Sequence, residues 1–328
     1  GSAKSMIISR TPVRVSFCGG GTDLPAYYMD SENGGLVTSM ALAKHIHVTV
    51  NKRFDSSVRV SYSKTEIVND FEELEHELVR EAMRITGVTQ SVEITTIADI
   101  PSRGTGLGSS SALTVGLLNA LHTFAGRNPD AAQLADEACQ IEMDILAQPI
   151  GRQDQYAAAF GGSNQIAFMP DDSVIVTPIE IDSGDLASNY FLVYTGITRK
   201  ASDILAKQSA SSGKKRTDLD TLRQQAVEVR AALETGNHTD VGQLLDASWQ
   251  IKRSLVDGIT GDALDELYST VMQLGTSGGK LLGAGGGGFF LFQGPPEIQS
   301  KLEDSYKVIP LVMDTDGSTI IFDDGSRI

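Results

Sequence analysis

The chain has 328 residues, 41% of them hydrophobic and 21% charged. This is the balance of a folded globular protein, and the length is sufficient for two domains. Its 42 acidic and 27 basic residues give a formal net charge of −15, and a surface of that charge repels nucleic acids and anionic membranes.

Strand and helix patterns are mixed in the first half of the chain. Strand-like alternation begins at Met6 and should be interrupted at Pro12. An amphipathic helix should end at Gly87, and Asn128 followed by proline predicts the start of another helix. The predicted strands are Met6–Phe17, Gly35–Ala43, His45–Lys52, Ser57–Ser63 and Ser91–Ile97, and the predicted helices are Phe71–Ile85, Leu113–Phe124 and 130–146.

Beyond Gly161 the pattern changes to short strands, longer helices and a glycine-rich segment. Because strands and helices do not alternate strictly, an α+β fold is expected rather than a doubly wound sheet. The predicted strands are Asn164–Phe168, Val174–Ile181, Tyr190–Tyr194 and two closing strands, and the predicted helices are Asp203–Ser209, Asp218–Thr235, Asp240–Leu255, Asp262–Leu274 and Glu297–Leu302.

The segment 101–112, PSRGTGLGSSSA, is the most informative part of the sequence. Gly104, Gly106 and Gly108 let the backbone turn tightly and approach a ligand. A predicted strand precedes the loop and a predicted helix follows it. The free N–H groups and the positive dipole end of that helix would therefore face an anion. The spacing is not that of the P-loop, so we predict a nucleotide phosphate site of another kind.

Three glycine-rich motifs resemble, in this order, those of the GHMP kinases, the superfamily named for galactokinase, homoserine kinase, mevalonate kinase and phosphomevalonate kinase. They are PVRVSFCGGGTD at 12–23, the loop at 101–112 and GAGGGG at 283–288. The resemblance implies a two-domain α+β kinase. Its ATP-binding N-terminal domain (1–165) would be ribosomal-protein-S5-like and its C-terminal domain (166–328) ferredoxin-like. The GGGTD segment resembles the branch that phosphorylates heptose 7-phosphate.

The resemblance assigns the catalytic roles to Asp154 and Arg14. Phosphoryl transfer needs a carboxylate that takes or orients the proton of the attacking hydroxyl, and Asp154 matches the family's base. Arg14 matches the basic partner of that aspartate. From the residues alone, Asp154 could instead cap a turn and Arg14 could be a surface charge.

The resemblance also implies ATP and Mg²⁺ as cofactors. Ser110 and Glu142 match the family's magnesium ligands, and a sparse pair suffices because Mg²⁺ keeps waters and binds substrate phosphates. Glu137 and Asp144, on the same predicted helix as Glu142, are alternatives. The residues expected to bind ATP are Arg103, Gly104, Thr105, Gly106, Leu107, Gly108, Ser109, Ser110 and Ser111.

On the acceptor side, Asp23 matches the aspartate that hydrogen-bonds sugar hydroxyls in galactokinases. Those enzymes have Glu-His where this chain has Gly20 and Gly21, which leaves room for an acceptor bulkier than galactose. A distal phosphate on that acceptor would need cations, of which arginine is best suited. The expected acceptor contacts are Gly20, Gly21, Thr22, Asp23, Arg152, Gln153, Arg199, Lys200, Gly285 and Gly286, with Arg103 a further candidate for the distal phosphate.

Other features favour structural interpretations. His45 and His47 share one face of a strand without a third metal ligand, and Trp249 is expected in a core or an interface. The glycines at 283–288 are expected to let the backbone approach the phosphate loop.

The resemblance implies phosphorylation of the anomeric hydroxyl of D-glycero-α-D-manno-heptose 7-phosphate to the 1,7-bisphosphate, for capsule or surface polysaccharide. The alternatives are a kinase of free L-fucose or galactose and a non-catalytic sensor of sugar and ATP. Two cysteines without a disulfide or metal spacing, and no apolar run of transmembrane length, predict a cytoplasmic protein. Residues 1–5 have the character of a vector remnant, and a homodimer is left open.

Overall fold

The computed structural model describes residues 5–101, 104–197, 215–255, 259–283 and 286–326. Helices and strands are mixed in it, which confirms the predicted α+β class. None of the described helices has the length and apolar character needed to cross a bilayer. The predicted helix Asp203–Ser209 lies outside the described residues.

Strands and helices are interspersed along the described part of the chain. The strands are β1 Met6–Cys18, β2 Gly35–Lys52, β3 Val58–Ser61, β4 Thr65–Val68, β5 Val92–Ala98, β6 Ser163–Phe168, β7 Val174–Pro178, β8 Tyr190–Tyr194, β9 Gly278–Leu281, β10 Phe289–Gln293, β11 Val308–Pro310 and β12 Thr319–Asp323. The helices are α1 Pro25–Tyr28, α2 Glu77–Thr86, α3 Ser109–Phe124, α4 Ala131–Cys139, α5 Gln153–Phe160, α6 Ser183–Asn189, α7 Arg216–Glu234, α8 His238–Leu255, α9 Asp262–Gln273 and α10 Pro296–Leu302. A π-helical segment, Gln140–Ile145, continues α4, and 3-10 turns lie at Phe71–Glu73 and Asp324–Ser326.

The larger sheet has eight strands, with the path β12-β1-β2-β5-β3-β4 and with β6 and β7 attached to β2. β2 pairs with β1 along most of its length, with β6 over 35–40 and with β5 over 46–52. α3 packs against β1 and β2. The Arg14 N–H donates to the Leu107 carbonyl at 2.8 Å, so the loop before α3 is tied directly to the sheet.

A bulge replaces the predicted break in the first two strands. Pro12 pairs with His45, whereas the next residue, Val13, pairs with Leu42. The two extra residues of β2 are accommodated without ending either strand. The predicted interruption at Pro12, and the separation of β2 into two strands, are therefore wrong.

Two helix starts also differ from the prediction. The predicted helix Phe71–Ile85 divides into a 3-10 turn and α2, because His76 caps α2 with its ring nitrogen. Its end at Gly87, which has a φ of 74°, is as predicted. Asp130 rather than Asn128 caps α4, since its carboxylate accepts a backbone N–H of the first turn.

The smaller sheet has the antiparallel order β11-β8-β10-β9. With α7–α9 between β8 and β9, and α10 between β10 and β11, its connections follow the ferredoxin-like βαββαβ order. Trp249 of α8 is 1% exposed and meets the Phe290 ring edge-on at 6.0 Å, which confirms its expected place in a core.

Strand pairing crosses the predicted division at residue 165. Residue 165 lies within β6, and β6, β7 and β12 all belong to the larger sheet. The larger sheet therefore takes strands from both sides of that division, and the smaller sheet lies between β7 and β12 in the sequence.

Candidate active site

All three glycine-rich motifs line one cleft with a volume of about 1230 Å³. Arg14, Gly20 and Asp23 come from the first motif, the loop 104–111 from the second and Gly283 from the third. Glu142 and Asp154 also line it. The fold thus gathers in one place most of the residues that the sequence singled out.

The phosphate loop needs its glycines for two physical reasons. Gly104, Gly106 and Gly108 have φ angles of 64°, 78° and 72°, in the left-handed region that other residues rarely adopt. A Cβ on Gly106 would also lie 2.7 Å from the carbonyl carbon of Leu282, and one on Gly283 would lie 2.5 Å from the Gly106 Cα. The third motif therefore abuts the loop backbone to backbone, as expected.

The hydroxyls of the loop have different surroundings. The Thr105 and Ser109 hydroxyls are buried 3.2 Å from each other, whereas Ser110 is exposed at the first turn of α3 and lines the cleft. The Leu107 side chain is fully buried in the core. The side chain therefore lies away from the cleft lining, and the expected ATP contact of Leu107 stays a prediction.

Arg14 and Asp154 form a partly buried ion pair beside the loop. The Arg14 Nε donates to Asp154 Oδ1 at 2.7 Å, and its Nη1 donates to the Gly106 carbonyl at 2.7 Å. The Asp154 side chain is 26% exposed and that of Arg14 is 4% exposed. Asp154 lies in the first turn of α5, and a Cβ on Gly108 would be 3.2 Å from its Oδ2. The arginine therefore fixes one carboxylate oxygen while the other lies beside the N-terminus of α3.

Asp23 forms a second carboxylate site in the cleft. Its Oδ1 accepts the Gly21 N–H at 3.0 Å, and its Oδ2 accepts the Gln153 N–H at 3.1 Å. Burial and the charge of Asp154 raise the pKa of this carboxyl. Gly151 is required nearby because a Cβ there would overlap the Asp23 carboxylate.

Glu142 is fully buried and accepts hydrogen bonds from Ser111 Oγ at 3.1 Å and Gln155 Nε2 at 3.3 Å. Burial raises the pKa of Glu142 to about 8, with a smaller contribution from the Asp154 charge. The two alternatives differ in their surroundings, because Glu137 pairs with His122 and Asp144 is exposed.

Two predicted acceptor contacts have structural roles instead. The Arg152 guanidinium donates to Asp172 Oδ1 at 2.7 Å and to Tyr28 and Tyr156, in a separate pocket. Thr22 is fully buried and bridges the Gly19 and Leu36 carbonyls. Neither side chain lines the cleft, so both expectations are corrected.

Some of the remaining predicted residues line the cleft and others do not. Gln153 lines the cleft beside Asp23, whereas Gly286 donates its N–H to the Ile259 carbonyl at 2.6 Å away from the cleft lining. His45 pairs with Asp314 at 2.6 Å, as a structural histidine would. Four predicted residues lie outside the described ones: Arg103, Arg199, Lys200 and Gly285.

Two lysines of the cleft, Lys252 on α8 and Lys280 on β9, are not among the predicted residues. Both are buried, at 8% and 2% exposure. The sequence did carry a signal, because Lys252 follows Leu245 and Trp249 at helical spacing and so lies on the buried face of α8. A lysine on a buried helix face is rare unless its ammonium group has a polar or charged partner.

Comparison with known proteins agrees with this geometry. Residues 71–162 match the model of the GHMP kinases N terminal domain, and residues 229–308 match that of GHMP kinases C terminal. D-glycero-alpha-D-manno-heptose 7-phosphate kinase of Campylobacter jejuni is 32% identical over 87% of this chain and 88% of the relative. L-fucokinase/L-fucose-1-P guanylyltransferase of Bacteroides fragilis is 27% identical over 87% of this chain but only 34% of its own length.

Solved structures support the same fold. A D-glycero-D-manno-heptose 1-phosphate kinase from Bacteroides thetaiotaomicron superposes with a TM-score of 0.79 at 24% identity, over 96% of this chain and 99% of the other. Together with the family matches and the ion pair beside the loop, this gives the assignment. The chain belongs to the GHMP kinase family and is a phosphotransferase.

Proposed function

We propose that the protein is an ATP-dependent sugar kinase that phosphorylates the anomeric hydroxyl of D-glycero-α-D-manno-heptose 7-phosphate. One observation carries the kinase chemistry of this proposal. Asp154 lies in the cleft with one oxygen bound by Arg14, beside the N-terminus of α3. A carboxylate there can orient a hydroxyl toward a phosphate held by the loop.

The nucleotide is proposed to lie along the loop. Its phosphates would accept hydrogen bonds from backbone N–H groups at the start of α3, whose dipole favours negative charge. From the loop the cleft extends to Tyr62, Leu78, Ile97 and Ile100. These side chains suit an adenine ring, because a flat heterocycle packs on aromatic and aliphatic groups, and the same end also carries Lys64, Glu75 and Glu77.

The chemistry of the donor set fits a magnesium ion. Glu142 is buried without a cationic partner among the described residues, and its raised pKa reflects that cost. Ser110 offers an exposed hydroxyl in the same cleft. Glu142 and Ser110 would hold Mg²⁺ together with nucleotide phosphates and waters. When bound, the ion would neutralise charge on the phosphates.

Asp154, Arg14 and Asp23 would have different roles in the transfer of the phosphoryl group to the sugar. The anomeric oxygen attacks the γ-phosphorus as the bond to the β–γ bridging oxygen breaks. Asp154 receives or orients the hydroxyl proton, and the products are ADP and the sugar 1-phosphate. The Arg14 guanidinium keeps the Asp154 carboxylate in place and adds positive charge near the transferred group. Asp23, held by two backbone N–H groups, would accept hydrogen bonds from sugar hydroxyls.

The choice of acceptor rests on the Campylobacter relative and on the room at Gly20 and Gly21. The product would be the 1,7-bisphosphate, an intermediate of nucleotide-activated heptose biosynthesis for capsule or surface polysaccharide in the cytoplasm. L-fucose is the second candidate, because the kinase from Bacteroides fragilis is similar over most of this chain.

A coupled assay of ADP release tests the proposal with heptose 7-phosphate, mannose, L-fucose and galactose as acceptors. We expect the heptose 7-phosphate to give the highest kcat/KM. A free sugar as the preferred acceptor would refute the acceptor assignment, and no turnover with any of the four would favour a non-catalytic sensor. Asp154→Asn should bind ATP normally but lose about 10³-fold or more in kcat, and near-normal turnover would exclude Asp154 from proton transfer.

A further inference from the structure

The two buried lysines place positive charge on the acceptor side of the cleft. A Cβ on Gly20 would lie 3.3 Å from the Lys252 Nζ and 3.4 Å from the Gln153 Nε2. Gln153 in turn donates to Asp23. Lys252 therefore reaches the glycine turn next to Asp23, where the acceptor is proposed to bind.

The two ammonium groups donate to backbone carbonyls and not to carboxylates of the described residues. Lys252 donates to the Gly283 carbonyl at 3.5 Å and Lys280 to the Phe17 carbonyl at 3.2 Å. Neither forms an ion pair with a carboxylate among the described residues. An ammonium has three N–H donors, so each lysine retains donors for a ligand.

The electrostatic cost of this arrangement is visible in both side chains. The pKa of Lys280 is lowered to about 7, mainly by burial and also by the charges of Lys252 and Arg14, against the opposing effect of Cys18. Burial also lowers the pKa of Lys252, although the Asp23 charge acts in the opposite direction. Two like charges in a buried site are unfavourable unless an anion joins them.

A third group points to the same place. The Ser16 hydroxyl is buried and has no hydrogen-bond partner among the described residues. It lines the cleft and lies 3.9 Å from the position of a Gly20 Cβ. An unsatisfied buried hydroxyl is uncommon in folded proteins, and here it adds a neutral donor beside two cationic ones.

We propose that Lys252, Lys280 and Ser16 form an anion subsite that binds the phosphate monoester carried by the acceptor sugar itself. A dianionic phosphate matches two ammonium groups in charge, and it accepts hydrogen bonds from all three side chains. The absence of a side chain at Gly20 keeps this subsite open to the cleft. The proposal rests on the proposed function, since it requires a phosphorylated acceptor.

The first test compares heptose 7-phosphate with unphosphorylated heptose in the wild type, Lys252→Gln and Lys280→Met. We expect the ratio of the two kcat/KM values to fall about 10- to 100-fold in each variant, as the loss of a charge-assisted hydrogen bond predicts. Lys301→Met, which removes an exposed lysine of α10, is the matched control and should leave the ratio unchanged. An unchanged ratio in both cleft variants would overturn the proposal.

A second measurement separates this proposal from the choice of acceptor. Inorganic phosphate is titrated by calorimetry into protein saturated with magnesium and the β,γ-imido analogue of ATP, which occupies the nucleotide phosphate positions. Binding that is lost in Lys280→Met supports the subsite, even if heptose 7-phosphate proves not to be the acceptor. Equal binding to the wild type and the variant, or none to the wild type, would refute it. Thermal denaturation should show Lys280→Met at least as stable as the wild type, because a buried charge is removed.

Discussion

The substitution Gly151→Ala tests the proposed role of the Asp23 carboxylate in positioning the acceptor sugar. The new Cβ would lie 2.5 Å from the Asp23 Cγ, whereas two nonbonded carbons need about 3.5 Å. The carboxylate must therefore retreat by about 1 Å from the backbone N–H groups of Gly21 and Gln153 that hold it. Gly151 is not in the left-handed region, so the effect comes from the contact and not from backbone strain.

The expected consequence is a loss of acceptor binding without a loss of nucleotide binding. A displacement of about 1 Å in a positioning group costs about 100-fold in rate, so kcat/KM for the acceptor should fall by about that factor. The KM for ATP should stay within about twofold, because Asp23 lies apart from the loop. Steady-state kinetics with each substrate varied in turn measures both quantities.

Gly261→Ala is the matched control for this experiment. A Cβ on Gly261 would have no neighbour within 4 Å, and its φ of −166° suits any residue. Its kinetics should equal those of the wild type. If Gly151→Ala is folded, as judged by thermal denaturation, and keeps the wild-type kcat/KM for the acceptor, then Asp23 does not position the acceptor.

Three further predictions concern charge. Glu142→Gln should raise the free energy of unfolding of the ligand-free protein by about 1–3 kcal/mol at pH 7. Because the pKa of Glu142 is raised, the wild type loses stability as pH rises from 4.5 to 8. Urea denaturation should therefore show the difference in unfolding free energy between variant and wild type widening over that range. A constant difference would contradict this prediction. Arg152→Met should destabilise the fold by about 1–3 kcal/mol yet leave the acceptor KM within about twofold, and a tenfold rise in KM in a stable variant would restore Arg152 to the acceptor site. The KM for a phosphorylated acceptor should increase above pH 7, because Lys280 then loses the proton that an anion requires, and a flat KM between pH 6 and 9 would count against this.

The glycine motifs could be predicted from the sequence because their geometry is local. Gly104, Gly106 and Gly108 adopt positive φ angles, and such a requirement is written into the residue type itself. The helix after the loop followed from its apolar pattern. The pairing of Arg14 with Asp154 followed from the resemblance, and the structure brings the two side chains to 2.7 Å. Requirements that the residue types of one loop impose could therefore be predicted from the sequence.

Features that depend on distant segments were not accessible in the same way. The bulge opposite Pro12 reads as a break along the chain, because only pairing between β1 and β2 shows that the strands continue. Arginine commonly binds phosphate, which is why Arg152 was expected at the acceptor, and only the fold shows that it pairs with Asp172 instead. Lys252 and Lys280 are 28 positions apart and become a pair only when α8 packs on β9.

The position of β12 has a consequence for how the chain folds during synthesis. All strands of the smaller sheet lie between Tyr190 and Pro310, whereas the larger sheet begins at Met6 and takes its edge strand, β12, from Thr319–Asp323. On the ribosome the smaller sheet therefore has all its strands before the larger one does. Pairing β1 with β12 closes a loop of more than 300 residues, and such non-local pairing is slow. This edge of β1 must remain unpaired until β12 has been synthesised, which makes it a segment of the nascent protein in need of protection from aggregation.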